Sequence, residues 1–303
     1  MKQIKKNKMS RKKKSDYAWG YGFIAPVTLG LIVFYFYPFF QVIYDSFFKI
    51  GAFDKRMGFV GFKNYIQMFS DAEMWGTLRN TFEYVIIIVP ATVVFSLLIA
   101  VLLNAKVKGL SIYRVIYFLP AVTMATAVSM VWKWIFNGDY GILNGILRSF
   151  GAEPVMWLNG RSTALLCICI VAVWGNVGYY MIILLAGIQG ISKVYYEAAE
   201  IDGATGIHKF FKITLPLITP TLFYVVIMII ISTFQTFDGI YLMIGTKANT
   251  IKYTQSVVMY FYRHAFDYSN KGYASAVAVF LFAIIMGITI LQMKMQKKWV
   301  NYD

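Results

Sequence analysis

The chain has 303 residues, of which 59% are hydrophobic and only 14% charged, with a mean hydropathy of +0.60. A soluble domain carries roughly 45–50% apolar and about 25% charged residues, so the charged shell of a water-soluble fold is missing. A net charge of +15 would suggest nucleic acid in a soluble protein, but here the cations gather between apolar runs and imply no nucleic-acid partner.

A transmembrane helix needs about 20 apolar residues to cross a hydrocarbon core of roughly 30 Å. Residues 1–16 form a basic tail containing Lys2, Lys5, Lys6, Lys8, Arg11, Lys12, Lys13 and Lys14, suited to the cytoplasm and to anionic headgroups. The uncharged run Tyr17–Tyr44 follows, 28 residues long. It exceeds the 7–15-residue core of a signal peptide and lacks a prompt small-x-small site, so it is expected to remain as a first span of about 17–44. Further spans are expected at about 84–105, 115–136, 162–187, 216–237 and 272–293. In the third, the Lys133 ammonium would snorkel to the interface. Trp19, Trp132, Trp134 and Trp174 sit in or near these runs, partly as aromatic belts require.

The expected fold is therefore all-α, a polytopic membrane protein with six transmembrane helices. Residues 17–303 form one transmembrane domain. Placing the N-terminus inside gives the inner segments 17 Lys and Arg in 55 residues, against 11 in 96 outside. The positive-inside rule thus selects N-in, C-in. The first external loop, Asp45–Glu83, contains glycines and aromatics without strand alternation and is expected to pack as a short helical cap or to meet an extracellular partner. Cys167 and Cys169 stand two apart in an apolar run, point in different directions on a helix, and cannot form a redox or zinc site.

The cytoplasmic segment 188–215 is unlike an ordinary connector. Read as helix, Val194, Tyr195, Ala198, Ile201 and Thr205 share a face, beside a charged ridge of Lys193, Glu197 and Glu200. Glu197 and Glu200 repel at i, i+3, a penalty that an outside cation would remove. Ala198 and Ala199 leave room for another backbone. Gly203 then ends the helix, glycine tolerating the left-handed conformation of a helix stop. A second short helix with Ile207, Phe210 and Phe211 follows, and Leu215-Pro216 leads the chain into span five, since proline suits a first helical turn. That is docking geometry.

Glu197-Ala198-Ala199, then Gly203, then Ile213-x-Leu215-Pro216 resembles the EAA signature of binding-protein-dependent ABC importer permeases. The string Tyr196–Ala204, with Asp202 inside it, resembles the carbohydrate branch of that family (maltose and multiple-sugar type), as do Leu185–Gln189 and Gly272–Ala276. The chain departs from the pattern at Ser192, where relatives commonly carry proline, and at Gly245-Thr-Lys-Ala-Asn249 in an external loop. The resemblance implies a heterodimer with a second homologous permease, two cytoplasmic ATPase subunits that hold ATP and magnesium, and an extracellular solute-binding protein that delivers a sugar. This chain would bind no cofactor or metal itself. Tyr195–Asp202 would be the coupling helix, and Tyr196, Glu197, Ala198, Ala199, Asp202, Gly203, Ile213, Leu215 and Pro216 the ATPase-coupling residues.

No Gly-Lys dipeptide occurs, so there is no phosphate-binding G-x-x-x-x-G-K-[ST] loop. Neither H-E-x-x-H nor G-x-S-x-G is present. Intramembrane polar groups tend to line a pathway, although they also bond helix to helix. On that basis, together with the family's mid-membrane positions, Thr123, Met124, Asn176, Tyr179, Thr233, Gln235 and Asp238 are candidate substrate-pathway residues. The rival reading is a secondary transporter or channel working alone. It would need ionisable groups near the midplane, whereas only Lys133 and Asp238 approach the spans.

Overall fold

The computed structural model describes residues 11–51, 55–104 and 109–300. Most of the basic tail, residues 1–10, lies outside the described residues, as do Lys106 and Lys108. In chain order, α1 (Arg11–Leu31) passes through a π-helical turn (Ile32–Phe36) into α2 (Tyr37–Asp45), making one continuous apolar helix over Ser15–Asp45. An antiparallel hairpin of β1 (Phe48–Ile50) and β2 (Arg56–Phe59) and helix α3 (Lys63–Ser70) come next. The hairpin corrects the expectation of a strand-free external loop. Its three- and four-residue strands are too short to show alternation, and it is held by local bonds. Arg56 pairs with Asp45 at 2.7 Å, and Asn64 donates to the carbonyls of Ser46 and Phe48.

Helix α4 (Ala72–Asn104) has 33 residues, about 50 Å at 1.5 Å per residue. That exceeds the bilayer core, so its first turns, carrying Glu73, Arg79 and Glu83, extend beyond it. The stretch expected as the third span is two helices, α5 (Leu110–Val122) and α6 (Ala125–Ile135), bent by 94°. Thr123 is extended at the break, and Met124 is non-helical beside it. Pro120, just upstream, removes one helical donor. Helix α7 (Ile142–Ser149) precedes α8 (Thr163–Gln189). Buried Asn144 sews the intervening segment together, donating to the carbonyls of Gly138 and Val155 and accepting from Val155 N–H and Trp157 Nε1.

The remaining helices are α9 (Lys193–Ile201), α10 (Gly206–Lys209), α11 (Leu215–Leu217), α12 (Thr219–Phe234), α13 (Ile251–Thr254), α14 (Val257–Tyr262) and α15 (Lys271–Trp299), with π-helical turns at Phe210–Thr214, Ile240–Ile244 and Arg263–Asp267. The entry into α12 is bent by 69°. Pro216 opens the short helix α11 before the bend, and Pro220 opens α12 after it.

Helix α8 is the centre of the molecule. Its Tyr180, Met181, Leu184, Leu185 and Ile188 pack against α4 and α12 in the largest apolar core. The hydroxyl of Ser96 on α4 donates to the carbonyl of Val177 at 3.0 Å. Gly178 lets the α5 backbone approach so closely that a Cβ there would stand 1.8 Å from the Tyr117 carbonyl oxygen. A second core joins Met68, Met74, Phe234, Val257, Tyr260 and Tyr273. By contrast, the most apolar stretch of α1–α2 buries none of its residues.

Candidate coupling helix and polar pocket

Helix α9 is short and almost wholly exposed, with no buried residue. It begins after Ser192 and ends on a paired set of backbone bonds. Gly203 N–H donates to the Glu200 carbonyl at 3.1 Å, and Ala204 N–H to the Ala199 carbonyl at 2.8 Å. With Gly203 at φ +74°, this is the Schellman stop, which satisfies the last carbonyls of a helix. The predicted face is bare: Val194 is 68% exposed, Tyr195 52% and Ile201 88%. Ala198, Glu197, Asp202 and Gly203 are exposed alongside it. Glu200 pairs with Lys209 of α10 at 2.8 Å, and that hydrogen bond holds its carboxyl below the ordinary value. The intrachain cation thus meets Glu200, while no described cation pairs with Glu197.

The other coupling candidates lie on the inner side. Tyr196 hydroxyl bonds Thr214 Oγ1 at 2.9 Å, and Thr214 is buried. Ala199, Ile213, Leu215 and Pro216 are half-buried. The nine residues therefore divide. Glu197, Ala198, Asp202 and Gly203 face outward, whereas Tyr196, Ala199, Ile213, Leu215 and Pro216 face the junction with α12. The turn Phe210–Thr214 at this junction is π-helical, a form often found at functional positions.

Four of the seven pathway candidates come together. Asn176, Thr233, Gln235 and Asp238 line one pocket of about 250 Å³ between α8 and the end of α12, with Ser232, Thr236 and Phe237. Asn176 Nδ2 donates to the Ala172 carbonyl at 2.8 Å, leaving its side-chain oxygen to the pocket. Thr236 Oγ1 donates to the Thr233 carbonyl. Ser232 was not singled out from the sequence, although its position one residue before Thr233 and one helical turn before Thr236 marks the same end of α12. Thr123, Met124 and Tyr179 lie apart from the pocket. Met124 is 72% exposed at the α5–α6 break, Thr123 bonds back to the Leu119 carbonyl, and exposed Tyr179 packs edge-on against Tyr180.

A polar clasp holds the outer end of the bundle, and sequence reading missed it because its members are 170 or more residues apart. Tyr84 hydroxyl donates to the Thr254 carbonyl at 2.6 Å, Asn80 donates to the Gln255 carbonyl, and Thr81 Oγ1 accepts from Val257 N–H. Asp71 accepts from the hydroxyls of Tyr260 and Tyr273. Burial works against its charge, but the Tyr260 bond and its neighbours prevail and hold Asp71 below the ordinary carboxylate range. Glu73 accepts from Gln255 and Arg263, both at 2.8 Å.

An apolar helical bundle with several helices long enough to cross a membrane, a polar pocket and a bare helix at one end has the architecture of a multi-pass membrane protein. The chain belongs to the family described as "Binding-protein-dependent transport system inner membrane component", whose model matches residues 76–301. It is 36% identical over 299 residues, 98% of this chain and 96% of the relative, to the probable ABC transporter permease protein YesP of Bacillus subtilis (strain 168). It is 32% identical to the sulfoquinovosyl glycerol transport system permease protein SmoG of Agrobacterium fabrum, over 89% of this chain and 88% of the relative. Its fold matches, at TM-score 0.85 and 20% identity, a chain in the crystal structure of a bacterial alginate ABC transporter in complex with an alginate pentasaccharide-bound periplasmic protein, covering 95% and 96% of the two chains. The protein is thus the permease subunit of an ABC importer in the cytoplasmic membrane, and ATP hydrolysis belongs to a separate subunit.

Proposed function

We propose that this permease passes a sugar or oligosaccharide into the cytoplasm by alternating access, driven by two ATPase subunits docked on α9 and on the equivalent helix of a second, homologous permease. ATP and magnesium reside on those ATPases, and an extracellular solute-binding protein delivers the sugar. The observation that carries the reading is the outward set of Glu197, Ala198 and Ile201 on a helix closed by Gly203. Glu197 would accept a charge-assisted hydrogen bond from a basic residue of the ATPase, worth roughly 1.5–3 kcal/mol. Tyr196 and Ile213–Pro216 would carry the movement of α9 into α12, at whose far end the pocket lies.

The similarity to the permease of a sulfoquinovosyl glycerol transport system supports a sugar. So does the pocket chemistry, since sugar hydroxyls suit amide and hydroxyl partners. At about 250 Å³ the pocket falls below the roughly 300–1,000 Å³ of a complete small-ligand site, so this chain is read as one wall of a site shared with the second permease. The basic segments support both termini inside, and six spans are reached when each bent helix pair is counted as one span.

Reconstitution of the assembled transporter in vesicles tests the proposal. ATP-dependent sugar uptake is expected, together with its loss in Glu197→Lys and Gly203→Asp. Both variants should insert normally but recover less ATPase, each by placing a wrong charge on the docking face. Uptake driven by a proton gradient without the ATPase would instead establish the lone-transporter reading.

A further inference from the structure

We propose that the α4–α8 face binds an anionic membrane phospholipid, with its phosphate at Arg161 and Lys252 and an acyl chain in the groove below. Two cavities meet on this face and share Ile87 and Leu166. The lower one, about 550 Å³, runs along α4 from Ile87 to Ile99 and along α8 from Leu166 to Gly178, with Ile116, Tyr117 and Pro120 of α5 as its third side. Twelve residues of helix cover about 18 Å, close to one leaflet's share of a hydrocarbon core of roughly 30 Å. Its walls are almost entirely apolar, and Phe95 and Trp174 stand half-exposed along it.

The upper cavity, about 1150 Å³, adds charged and polar residues to an apolar lining. Of its four cations, Arg79 is paired with Glu83 and Arg263 with Glu73. Arg161 and Lys252 have no carboxylate within ion-pair distance among the described residues. Both instead lie over the ring of Tyr253, at 4.8 Å and 4.9 Å from its centre. One aromatic ring therefore holds two uncompensated charges together at the top of an apolar channel. Both cations are exposed, and a phosphate attached to a hydrocarbon chain would pair with them while its chain fills the apolar groove. Given the orientation proposed above, the lipid belongs to the outer leaflet. The inference requires only that the chain be embedded in a membrane and does not depend on which solute is transported.

The test uses the assembled transporter purified in detergent, with bound lipid counted by native mass spectrometry during titration with phosphatidylglycerol, phosphatidylcholine or inorganic phosphate. Phosphatidylglycerol is expected to be held roughly 30-fold more tightly than phosphatidylcholine, the effect of two basic side chains beside an anionic headgroup. The double variant Arg161→Gln/Lys252→Gln should lose that preference, and Leu166→Trp, which fills the groove, should release both lipids. Co-purification of the ATPase should be unchanged in all of them. A preference that survives the double variant, full lipid retention by Leu166→Trp, or displacement by equimolar inorganic phosphate would overturn the proposal. So would a cross-link from Leu166→Cys to a partner chain in the assembled complex.

Discussion

Gly203 is the residue on which the geometry of α9 turns. A Cβ added there would meet nothing within 4 Å, so the cost of a side chain comes from its φ of +74° alone. Gly203→Ala should cost about 1–2 kcal/mol, and Gly203→Asn less, because asparagine tolerates this conformation. Recovery of the ATPase with the purified permease should therefore rank glycine above asparagine above alanine. Tyr196 offers the complementary test. Tyr196→Phe removes the bond to Thr214, worth about 1 kcal/mol, while leaving the outward face intact. Reduced sugar uptake with undiminished ATPase recovery is expected, and equal loss of both would show that Tyr196 belongs to the docking surface.

A pH effect belongs to the residue scale too. His264 is packed among the rings of Tyr260, Tyr268 and Tyr273. Burial lowers its affinity for a proton; Asp71 and Glu73 pull the other way, and Arg263 adds to the lowering. The folded state keeps the imidazole neutral to lower pH than the unfolded chain, whose histidine titrates near about 6.5. The contribution is intact above that value and declines as pH falls below it, since the unfolded chain then takes up the proton first. Thermal melting should shift downward between about pH 7.5 and 5.5, and His264→Phe should flatten that shift.

Among the elements, α5 and α8 show how the bundle depends on small residues. Without a hydrophobic drive between helices in lipid, close backbone approach supplies the packing. Gly178→Ala would push a methyl group into the Tyr117 carbonyl, and a loss of roughly 1–3 kcal/mol is expected from such overpacking, read as a lower melting temperature. Helix α9 and its stop were legible in the sequence because both are local. Three small or acidic residues and one glycine, at fixed spacing, define the helix, its face and its end. The α5–α6 break and the outer hairpin were not legible. Hydropathy averages over a bend, and three-residue strands carry no period. The clasp from Asp71 to Arg263 is beyond such reading, since its partners meet only after the whole chain has folded.

For the molecule as a whole, apolar runs gave the membrane class and the helical fold. The candidate site was legible only as far as which residues come together. Asn176, Thr233, Gln235 and Asp238 share a pocket, while Thr123, Met124 and Tyr179 do not. Position within a span says nothing about which wall a side chain faces. Asn176→Leu and Gln235→Leu should therefore lower sugar uptake at least tenfold more than Tyr179→Leu does, with ATPase recovery equal in all three. A reversed order would move the pathway to another face.

Helix α1 is the least accommodated part of the chain. Its stretch from Tyr17 to Leu31 touches little but itself, and only α2 finds a neighbour, where Phe39 packs edge-on against Phe282 at 5.0 Å. Such a helix adds apolar surface without closing a core of its own. A cell that makes this subunit in excess of its companions would hold an orphan with one loose arm, open to membrane quality control. Its abundance should then follow that of the companion permease more closely than that of its own transcript.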